Sequence, residues 1–295
     1  MKVLLTGASG RVGRAIHARL SQAHQVAGLD LAPSSTARWV GDITDACLLD
    51  QAVRDVDVIV HVAALHAPHV GRVNDAEFVR VNLQATRQLA ELAARRGAQR
   101  FVFTSTTALY GLAATPTGRA AWITEDTTPV PKTVYHRTKL QAEQALREIS
   151  SETGLPVTIL RMSRCFPEAV DKMAVFRLHR GVDARDVATG FELALNLGQP
   201  GTQTFILSGA TPFVPEDADE LKLDAPSVLR RRCPLIVSAM AQRGWPLPRS
   251  IDRVYDATRA RTDLGWVARF GFEEVLRQHD LQSAEVLPPA PGLQG

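Results

Sequence analysis

The stretch that decides the fold is Val3-Leu4-Leu5-Thr6-Gly7-Ala8-Ser9-Gly10-Arg11-Val12-Gly13. Its first residues form a short apolar run typical of a buried strand, and a helical pattern follows over about 11–21. Three glycines, at 7, 10 and 13, occupy the turn between them. Glycine allows a tight turn and lets the backbone approach a pyrophosphate at the positive end of a helix. A three-glycine loop alone is weak evidence for dinucleotide binding, so this interpretation depends on the pattern in the rest of the chain.

That context is an alternation of strands and helices. Further short apolar runs predict strands over 26–30, 57–62, 100–105 and 157–160. Two long helical patterns cover about 75–96 and 134–150. Nearly continuous apolar strands that alternate with helices indicate a parallel sheet covered on both faces. The predicted fold class is therefore α/β, a Rossmann-type doubly wound parallel sheet.

The domain organisation follows from a change in composition. Residues 1–165 predict a dinucleotide-binding domain, which about 182–208 complete. Beyond 208 prolines cluster and hydrophobic periodicity weakens, so 166–181 and 209–285 are expected to form a small, loop-rich substrate-binding region. Residues 286–295, rich in proline, are expected to be a disordered tail.

Composition narrows the class of protein. A net charge of +3 over 295 residues gives no reason to expect a nucleic-acid partner. Three cysteines without a CxxC pair favour a reduced, cytoplasmic setting. No run of 18 apolar residues occurs, so no membrane partner is expected. The spacing of His61, His66 and His69 is poor for zinc, so no metal is expected.

Asp30 indicates which dinucleotide the loop would bind. It follows Gly7 by 23 residues and ends the second predicted strand, where a carboxylate can bind the adenosine ribose. A carboxylate there repels a 2′-phosphate, so NAD is expected rather than NADP. Arg11 and Arg38 are nearby cations that keep NADP as the alternative. Asp30 could instead be an ordinary turn residue ahead of Pro33.

Three side chains suggest proton and hydride transfer. Tyr135 and Lys139 are four residues apart, which places them on one face of a helix. A nearby lysine cation would lower the pKa of a tyrosine, which is about 10 in the free side chain. Thr106 ends a hydroxyl-rich strand at the sheet edge where α/β proteins hold ligands. The alternative for Tyr135 and Lys139 is an exposed helix face, and the alternative for Thr106 is an ordinary hydroxyl that caps a loop.

Motifs along nearly the whole chain resemble the extended short-chain dehydrogenase/reductases, the NAD-dependent epimerase/dehydratase group. The motifs are GxxGxxG at 7–13, Asp42-Ile43, His61-Val62-Ala63-Ala64, Asn82, Tyr110-Gly111, Tyr135 with Lys139 and Glu143, Tyr255-Asp256-Ala257-Thr258-Arg259-Ala260, and Leu264-Gly265-Trp266.

The resemblance implies a set of contacts. The catalytic residues would be Thr106, Tyr135 and Lys139. The NAD contacts would be Gly7, Ser9, Gly10, Arg11, Val12, Gly13, Asp30, Asp42, Ile43, Val62, Ala63, Ala64, Asn82, Thr104, Tyr135 and Lys139. The substrate, a small carbohydrate-like molecule, would meet Thr106 and Arg177. Arg164 could bind a carboxylate or phosphate of the substrate or could form a surface ion pair, and His66 could be a substrate contact or an ordinary loop residue. A homodimer through the two long helices is also implied.

Two departures from the family affect the expected substrate. Arg164 stands where sugar-nucleotide enzymes of the group usually carry an asparagine, and only 12 residues separate it from Arg177. That short segment, with Arg161, Cys165 and Pro167, is similar to uronate dehydrogenases. The first hypothesis is therefore a dehydrogenase of a small sugar, sugar acid or polyol. The second is a nucleotide-sugar epimerase or dehydratase, and the third is a non-catalytic dinucleotide sensor.

Overall fold

The computed structural model describes residues 1–289 and is built around a seven-stranded parallel sheet. The strands, with those of a second small sheet, are β1 (Lys2–Thr6), β2 (Gln25–Asp30), β3 (Trp39–Val40), β4 (Val58–His61), β5 (Arg100–Thr106), β6 (Ala121–Ile123), β7 (Val157–Met162), β8 (Thr202–Leu207) and β9 (Arg253–Tyr255). The large sheet has the order β3-β2-β1-β4-β5-β7-β8, and β6 pairs with β9 in the small one. The order reverses between β1 and β4, which creates a crevice at the carboxyl ends of these strands.

Helices cover both faces of the large sheet. They are α1 (Arg11–Leu20), α2 (Ala46–Ala52), α3 (Asp75–Phe78), α4 (Ala85–Arg95), α5 (Val134–Thr153), α6 (Val170–Phe176), α7 (Ala184–Leu195), α8 (Ala218–Leu223), α9 (Ala225–Arg232), α10 (Pro234–Gln242), α11 (Thr258–Asp263) and α12 (Phe272–Asp280). On β4, Val58 and Val60 join the core under α1 and α7, while Ile59 joins the core under α4 and α5. This alternation explains why the strand is apolar at successive positions. The predicted doubly wound fold is confirmed.

The long helix predicted over 75–96 is interrupted by a π-helical segment. Asn74 caps α3 by accepting a hydrogen bond from the Ala76 amide at 2.9 Å, and the chain then widens over Val79–Gln84 before α4 begins. Such segments often occur at functional sites, because the wider turn changes where side chains are presented. Asn82, a predicted cofactor residue, lies within it and is buried.

The region after residue 208 is helical, which corrects the expectation of a loop-rich region. Helices α6, α8, α9, α10 and α12 share a separate hydrophobic core with β9, and we call this region the cap. Pro226 and Pro234 stand in the first turns of α9 and α10. Proline suits that position because it lacks the amide hydrogen that a first turn leaves unbonded. The prolines therefore begin helices here rather than mark loops.

The disordered tail was predicted to begin at residue 286, but the structure is ordered just beyond that point. Val286 is buried in the core of the cap, and Leu287 forms a parallel bridge with Ala169. Apolar burial and backbone hydrogen bonds thus fix this part of the tail; residues 290–295 lie outside the described part of the chain. Within residues 1–289, no helix combines the length and apolar character needed to cross a bilayer.

Candidate active site

The glycine-rich loop forms a cradle at the amino end of α1. Gly7 has a φ of +72°, and a Cβ on Gly13 would lie 1.9 Å from the Gly7 carbonyl oxygen. Neither position has room for a side chain. Gly10 occupies the N-cap without a side-chain hydrogen bond, so no side chain caps the first-turn amides of α1. Amides of this kind, at the positive end of a ten-residue helix, suit a diphosphate.

Asp30 sits beside this loop at the end of β2. Its carboxylate accepts hydrogen bonds from the Ser9 and Ala32 amides, both at 2.9 Å. Ser9 also donates its hydroxyl hydrogen to the Ala32 carbonyl at 2.6 Å. These contacts hold the carboxylate at the edge of the crevice. Its role in ribose binding stays a prediction.

The predicted adenine residues follow β3. Asp42 forms an ion pair with Arg80 at 2.9 Å and accepts hydrogen bonds from the amide and hydroxyl of Thr44. Ile43 is buried in the core under α4 and α5. The backbone of this segment is therefore well anchored, but its predicted contact with adenine is untested.

A buried histidine anchors the loop after β4, which carries Val62, Ala63 and Ala64. His61 hydrogen-bonds the Thr6 hydroxyl at 2.6 Å and the Thr86 hydroxyl at 2.8 Å. Burial lowers the pKa of His61 to about 3, with a smaller effect from Lys139, so the ring is neutral. The amides of Val62 and Ala63 lie 3.2 Å from the same Thr6 hydroxyl. His61 is thus a structural residue under the predicted cofactor-lining loop.

Asn82 connects this loop to α5. Its side chain accepts a hydrogen bond from the Leu65 amide at 2.8 Å and donates one to the Leu65 carbonyl at 2.9 Å. Its amide nitrogen also lies 3.3 Å from the Thr138 hydroxyl, between Tyr135 and Lys139 in sequence. Asn82 therefore positions the loop against the helix with the predicted catalytic residues.

The structure brings Tyr135 and Thr106 into contact and places Lys139 one helical turn from Tyr135. Helix α5 begins after Thr133, whose hydroxyl accepts a hydrogen bond from the His136 amide, and it places Tyr135 and Lys139 one turn apart. The Thr106 hydroxyl, at the end of β5, hydrogen-bonds the phenol of Tyr135. All three side chains are buried, with 9% or less of each residue exposed.

Lys139 lies in a mixed polar and aromatic environment. Its Nζ donates a hydrogen bond to the Thr104 carbonyl oxygen at 2.6 Å and lies 4.3 Å from the centre of the Phe103 ring. Burial lowers the pKa of Lys139 to about 7, against an opposing effect from Glu143. The ammonium and neutral amine forms are therefore both populated near neutral pH.

The ionisation of Tyr135 differs from the expectation. The sequence predicted that Lys139 lowers its pKa, whereas burial raises the pKa of Tyr135 to about 12 and the bond from Thr106 lowers it only in part. The physical reason is that Lys139 is itself buried, weakly charged and bound to Thr104. At neutral pH the phenol carries its proton in this structure and is poised to donate it.

A buried ion pair between α5 and β7 supports the site. The Arg161 guanidinium donates two hydrogen bonds to Glu143, at 3.0 and 2.7 Å, and a third to the Tyr110 hydroxyl at 2.8 Å. The Ser105 hydroxyl, next to Thr106, donates to Glu143 at 2.5 Å. The Arg161–Glu143 pairing was missed by sequence reasoning. The position of Glu143, one helical turn after Lys139, was the available signal.

The predicted substrate residues fall in different places. His66 follows Leu65, which packs against the cluster of Phe78, Val134 and Tyr135. Burial lowers the pKa of His66, with smaller contributions from His69 and Lys139. Arg164 is partly exposed and forms two hydrogen bonds with Glu168, at 2.9 and 2.6 Å.

Arg177, by contrast, is buried and does not join the other predicted substrate residues. Its side chain is only 2% exposed and pairs with Asp183 at 3.1 Å. The substrate contacts predicted for His66, Arg164 and Arg177 all remain predictions.

A buried polar atom beside the predicted catalytic residues lacks a partner, and it tests whether a dinucleotide fits. It is Oγ1 of Thr104, next to the Lys139 contact. Buried polar groups are normally satisfied, so an unpartnered one beside these residues indicates a polar ligand. In residues 1–289, no group of three or more His, Cys, Asp or Glu side chains is arranged to hold a metal ion.

Comparisons with known proteins agree with this geometry. A model of the NAD dependent epimerase/dehydratase family matches residues 3–176. A dTDP-glucose 4,6-dehydratase from Streptomyces antibioticus is 28% identical over 93% of this chain and 90% of its own length. A UDP-glucose 4-epimerase from Azospirillum brasilense is 31% identical over 54% of this chain and 48% of its own length.

Solved structures share the fold. A short-chain dehydrogenase/reductase superfamily protein from Agrobacterium tumefaciens, with bound NAD, has a TM-score of 0.72 and 24% identity, covering 94% of this chain and 95% of that one. A UDP-glucose 4-epimerase from Thermotoga maritima, with UDP-glucose, has a TM-score of 0.70 and 17% identity, covering 96% and 99%. The family match covers more than half of the chain. The chain therefore belongs to the NAD dependent epimerase/dehydratase family, and the predicted fold, enzyme class and NAD cofactor are confirmed.

Proposed function

We propose that the chain is an NAD-dependent oxidoreductase that transfers hydride at a hydroxyl-bearing carbon of an anionic carbohydrate. The observation that carries the proposal is the contact of the Tyr135 phenol with the Thr106 hydroxyl, with the buried Lys139 amine on the same strand end through the Thr104 carbonyl. A proton-transfer group next to a dinucleotide is what reversible alcohol oxidation requires.

Each of the three residues has its own role in the reaction. In the reducing direction Tyr135 donates its phenolic proton to the carbonyl oxygen, and Thr106 hydrogen-bonds that same oxygen. In the oxidising direction the phenolate takes the proton from the substrate hydroxyl, so the base form of Tyr135 must be populated. Bound NAD supplies the hydride acceptor, and NADH the donor. Lys139 fixes the geometry through Thr104 and adds positive charge when protonated.

The surroundings of Tyr135 favour redox chemistry or epimerisation over dehydration. Loss of water from a sugar needs a general acid and a general base at adjacent carbons. Among the described residues no carboxylate acts on the ionisation of Tyr135. Glu143, which acts on Lys139, is already bound by Arg161 and Ser105. No carboxylate therefore accompanies Tyr135 as a second proton-transfer group among its contacts in the described residues, which favours redox chemistry or epimerisation.

Three arginines of the cap region support an anionic substrate. Arg164 pairs with Glu168, while Arg180 and Arg253 share one carboxylate, that of Asp252. In these ion pairs of the described residues, three guanidinium groups therefore share two carboxylates. The Nε atom of Arg180 is buried without a partner. A guanidinium binds carboxylate and phosphate oxygens well because it offers several hydrogens in one plane.

This arginine cluster lies close to the catalytic strand end. Arg180 stacks over the Phe176 ring at 4.1 Å, and Arg164 lies 5.6 Å from the same ring. Tyr255, which follows Arg253 on β9, places its hydroxyl 3.4 Å from the carbonyl oxygen of Thr107. Thr107 directly follows the catalytic Thr106. A substrate with a sugar at Thr106 and an anionic group at the cluster fits this arrangement.

Two anionic carbohydrates are candidates. The relatives favour a nucleotide sugar, because those named above are nucleotide-sugar dehydratases and epimerases, one of them similar over nearly the whole chain. The short connection from Arg164 to α6, which begins at Val170, favours a small sugar acid, because it leaves little chain to cover a nucleotide.

A substrate panel separates the two candidates. Purified protein with NAD is mixed with nucleotide sugars and with uronic acids, and NADH absorbance and sugar products are recorded together. Stoichiometric NADH with a uronic acid identifies a dehydrogenase. An isomerised nucleotide sugar without released NADH identifies an epimerase. Turnover of neutral sugars only, unchanged in Arg180→Met, would contradict the anionic substrate; no redox or isomerised product from any sugar would contradict the proposed function.

A further inference from the structure

A second cleft lies at the amino edge of the large sheet, opposite the edge that carries Thr106 and the glycine-rich loop. It is open to solvent and encloses about 910 Å³. Its residues come from the starts of β1, β2 and β3, from the end of α2 and from the turn that follows α2. Ligand pockets usually have volumes of about 300–1,000 Å³, so this cleft has room for a small organic molecule. We call it the amino-edge cleft.

The lining of the amino-edge cleft is partly apolar and includes one aromatic ring. Val3 and Ala52 are buried residues of this lining. Trp39 is only partly buried, and the Arg38 guanidinium lies 5.7 Å from the centre of its ring. An indole ring that keeps part of its surface accessible offers a planar apolar contact. The cleft can therefore bind the apolar part of a ligand, a planar ring in particular.

Cations outnumber carboxylates along the amino-edge cleft. Lys2, Arg38 and Arg54 line it with exposed side chains, and Asp55 is the carboxylate of its lining. In residues 1–289, none of the three cationic side chains forms an ion pair. An anion that enters the cleft would therefore meet cations that no carboxylate of the described chain already binds.

Two further carboxylates near these cations have other partners. Asp50 pairs with Arg96, and the pKa of Asp50 is lowered chiefly by that hydrogen bond and less by Arg54. Asp57 accepts a hydrogen bond from the backbone amide of Lys2 at 2.6 Å. Each of these carboxylates is thus bound by a group other than the cationic side chains of the cleft.

The turn at one end of the cleft has an uncommon backbone. Asp55 has a φ of +58°, in the left-handed region that residues other than glycine rarely adopt. Residues in such conformations cluster at sites that bind ligands. Arg54 and Val56, on either side of Asp55, both line the cleft. This turn therefore contributes a cation and an apolar side chain to the same site.

We propose that the amino-edge cleft binds a small organic anion that carries a planar ring, with its charge at Arg38 and Arg54 and its ring against Trp39. Guanidinium groups suit this task because they bind phosphate and carboxylate oxygens and also stack on rings. The proposal goes beyond the proposed function and does not depend on it, because Thr106 and the amino-edge cleft lie at opposite edges of the sheet.

Phenyl phosphate tests the proposal by calorimetry, with NAD kept saturating so that the cofactor crevice stays occupied. We expect the double variant Arg38→Gln with Arg54→Gln to bind it about tenfold more weakly, because two exposed charge contacts are lost. Both side chains are exposed, so the variant should fold. Phenol, which has the ring without the charge, should also bind at least about tenfold more weakly. No binding of phenyl phosphate up to about 10 mM, or equal binding by the variant and the wild type, would overturn the proposal.

Two further variants locate the bound phenyl phosphate. Arg261→Gln removes an exposed arginine on α11 that has no ion pair among the described residues, and it should leave binding unchanged. Arg180→Met, in the arginine cluster of the cap, should also leave it unchanged. A loss in Arg180→Met, with normal binding in the double variant, would place the anion near the cap and contradict the proposal.

Asp55→Asn should have the opposite effect. Asparagine also tolerates the left-handed backbone, so the turn should persist while the carboxylate of the lining is lost. We expect phenyl phosphate to bind about threefold more tightly. Unchanged or weaker binding would show that the anion lies away from this cleft.

The fluorescence of Trp39 tests the position of the ring. Phenyl phosphate should change the tryptophan fluorescence of the wild type, and Trp39→Phe should lose that change because Trp39 is the tryptophan that lines the cleft. A change that persists in Trp39→Phe would place the ring elsewhere and overturn the site. Sugar turnover, which tests the proposed function, is independent of all these results.

Discussion

Burial controls the charge of Lys139, and this should be measurable as stability. The pKa of Lys139 is lowered to about 7 by burial, whereas a lysine in an unfolded chain titrates near 10.4. Between these values the unfolded chain binds more protons than the folded one. The free energy of unfolding should therefore rise with pH above about 7, by at most about 1.4 kcal/mol per pH unit, and this contribution should level off near 10.4.

Lys139→Met isolates this effect. The variant carries no titratable group at this position, so its unfolding free energy should rise less between about pH 7.5 and about pH 9.5. Urea unfolding at several pH values measures the difference. Parallel pH profiles for the variant and the wild type would mean that Lys139 is not a buried, partly neutral amine.

Asp30 should decide between NAD and NADP. Asp30→Asn keeps hydrogen-bonding oxygen for the Ser9 amide but removes the negative charge. We expect NAD to bind about tenfold more weakly, because the ribose loses charge-assisted hydrogen bonds, and NADP to bind more tightly, because repulsion of its 2′-phosphate is removed. Titrations with both reduced cofactors, followed by fluorescence, give the two affinities. An unchanged NAD-to-NADP preference would remove Asp30 from cofactor selection.

Residue identities at the site could be predicted from sequence, but their ionisation could not. The four-residue spacing of Tyr135 and Lys139 already places them on one helical face. Their pKa values depend on burial and on partners from other elements, such as Thr104 and Thr106. Spacing along the chain contains no information about either.

At the scale of elements, the buried Glu143–Arg161 ion pair joins α5 to β7. Both side chains are at most 6% exposed, so removing one partner leaves a buried, unpaired charge. Glu143→Gln should lower the free energy of unfolding by about 3 kcal/mol. Glu148→Gln, on the exposed side of the same helix, is the control and should change it little. Urea denaturation compares them, and equal stabilities would show that the pair contributes nothing.

The π-helical segment before α4 gives a second prediction at this scale. Asn82→Ala removes the two hydrogen bonds to Leu65 and the contact with Thr138. The loop after β4 should loosen, raising the dissociation constant for NAD by about tenfold while the fold persists. Hydrogen exchange of the Leu65 amide and NAD titration measure the two effects. Unchanged protection of that amide would argue against the positioning role of Asn82.

Long, periodic elements were predicted well, and short or irregular ones were not. Strands β6 and β9 have only three residues each, too few to show an alternating pattern. The widened turn within 75–96 leaves the apolar spacing nearly helical, so periodicity did not reveal it. In the cap, Pro226 and Pro234 resembled loop markers because proline both ends and begins helices.

At the scale of the whole molecule, the glycine-rich loop and the loop after β4 follow neighbouring strands at the carboxyl edge of the large sheet, where the strand order reverses. The predicted domain boundaries at residues 165 and 208 remain a prediction. The homodimer through the two long helices also remains a prediction. The mass measured by light scattering during size exclusion tests the homodimer. A dimer should give about twice the chain mass of 32.1 kDa, and the chain mass itself would contradict it.

The proposed hydride transfer depends most on Tyr135 as the group that moves the proton. Its most direct test is Tyr135→Phe, which removes only the phenolic oxygen, compared with the wild type on the substrate that the panel identifies. We predict unchanged NAD affinity and a fall in turnover of at least about a hundredfold, as for loss of a general acid–base group. Unchanged turnover with bound NAD would contradict the account.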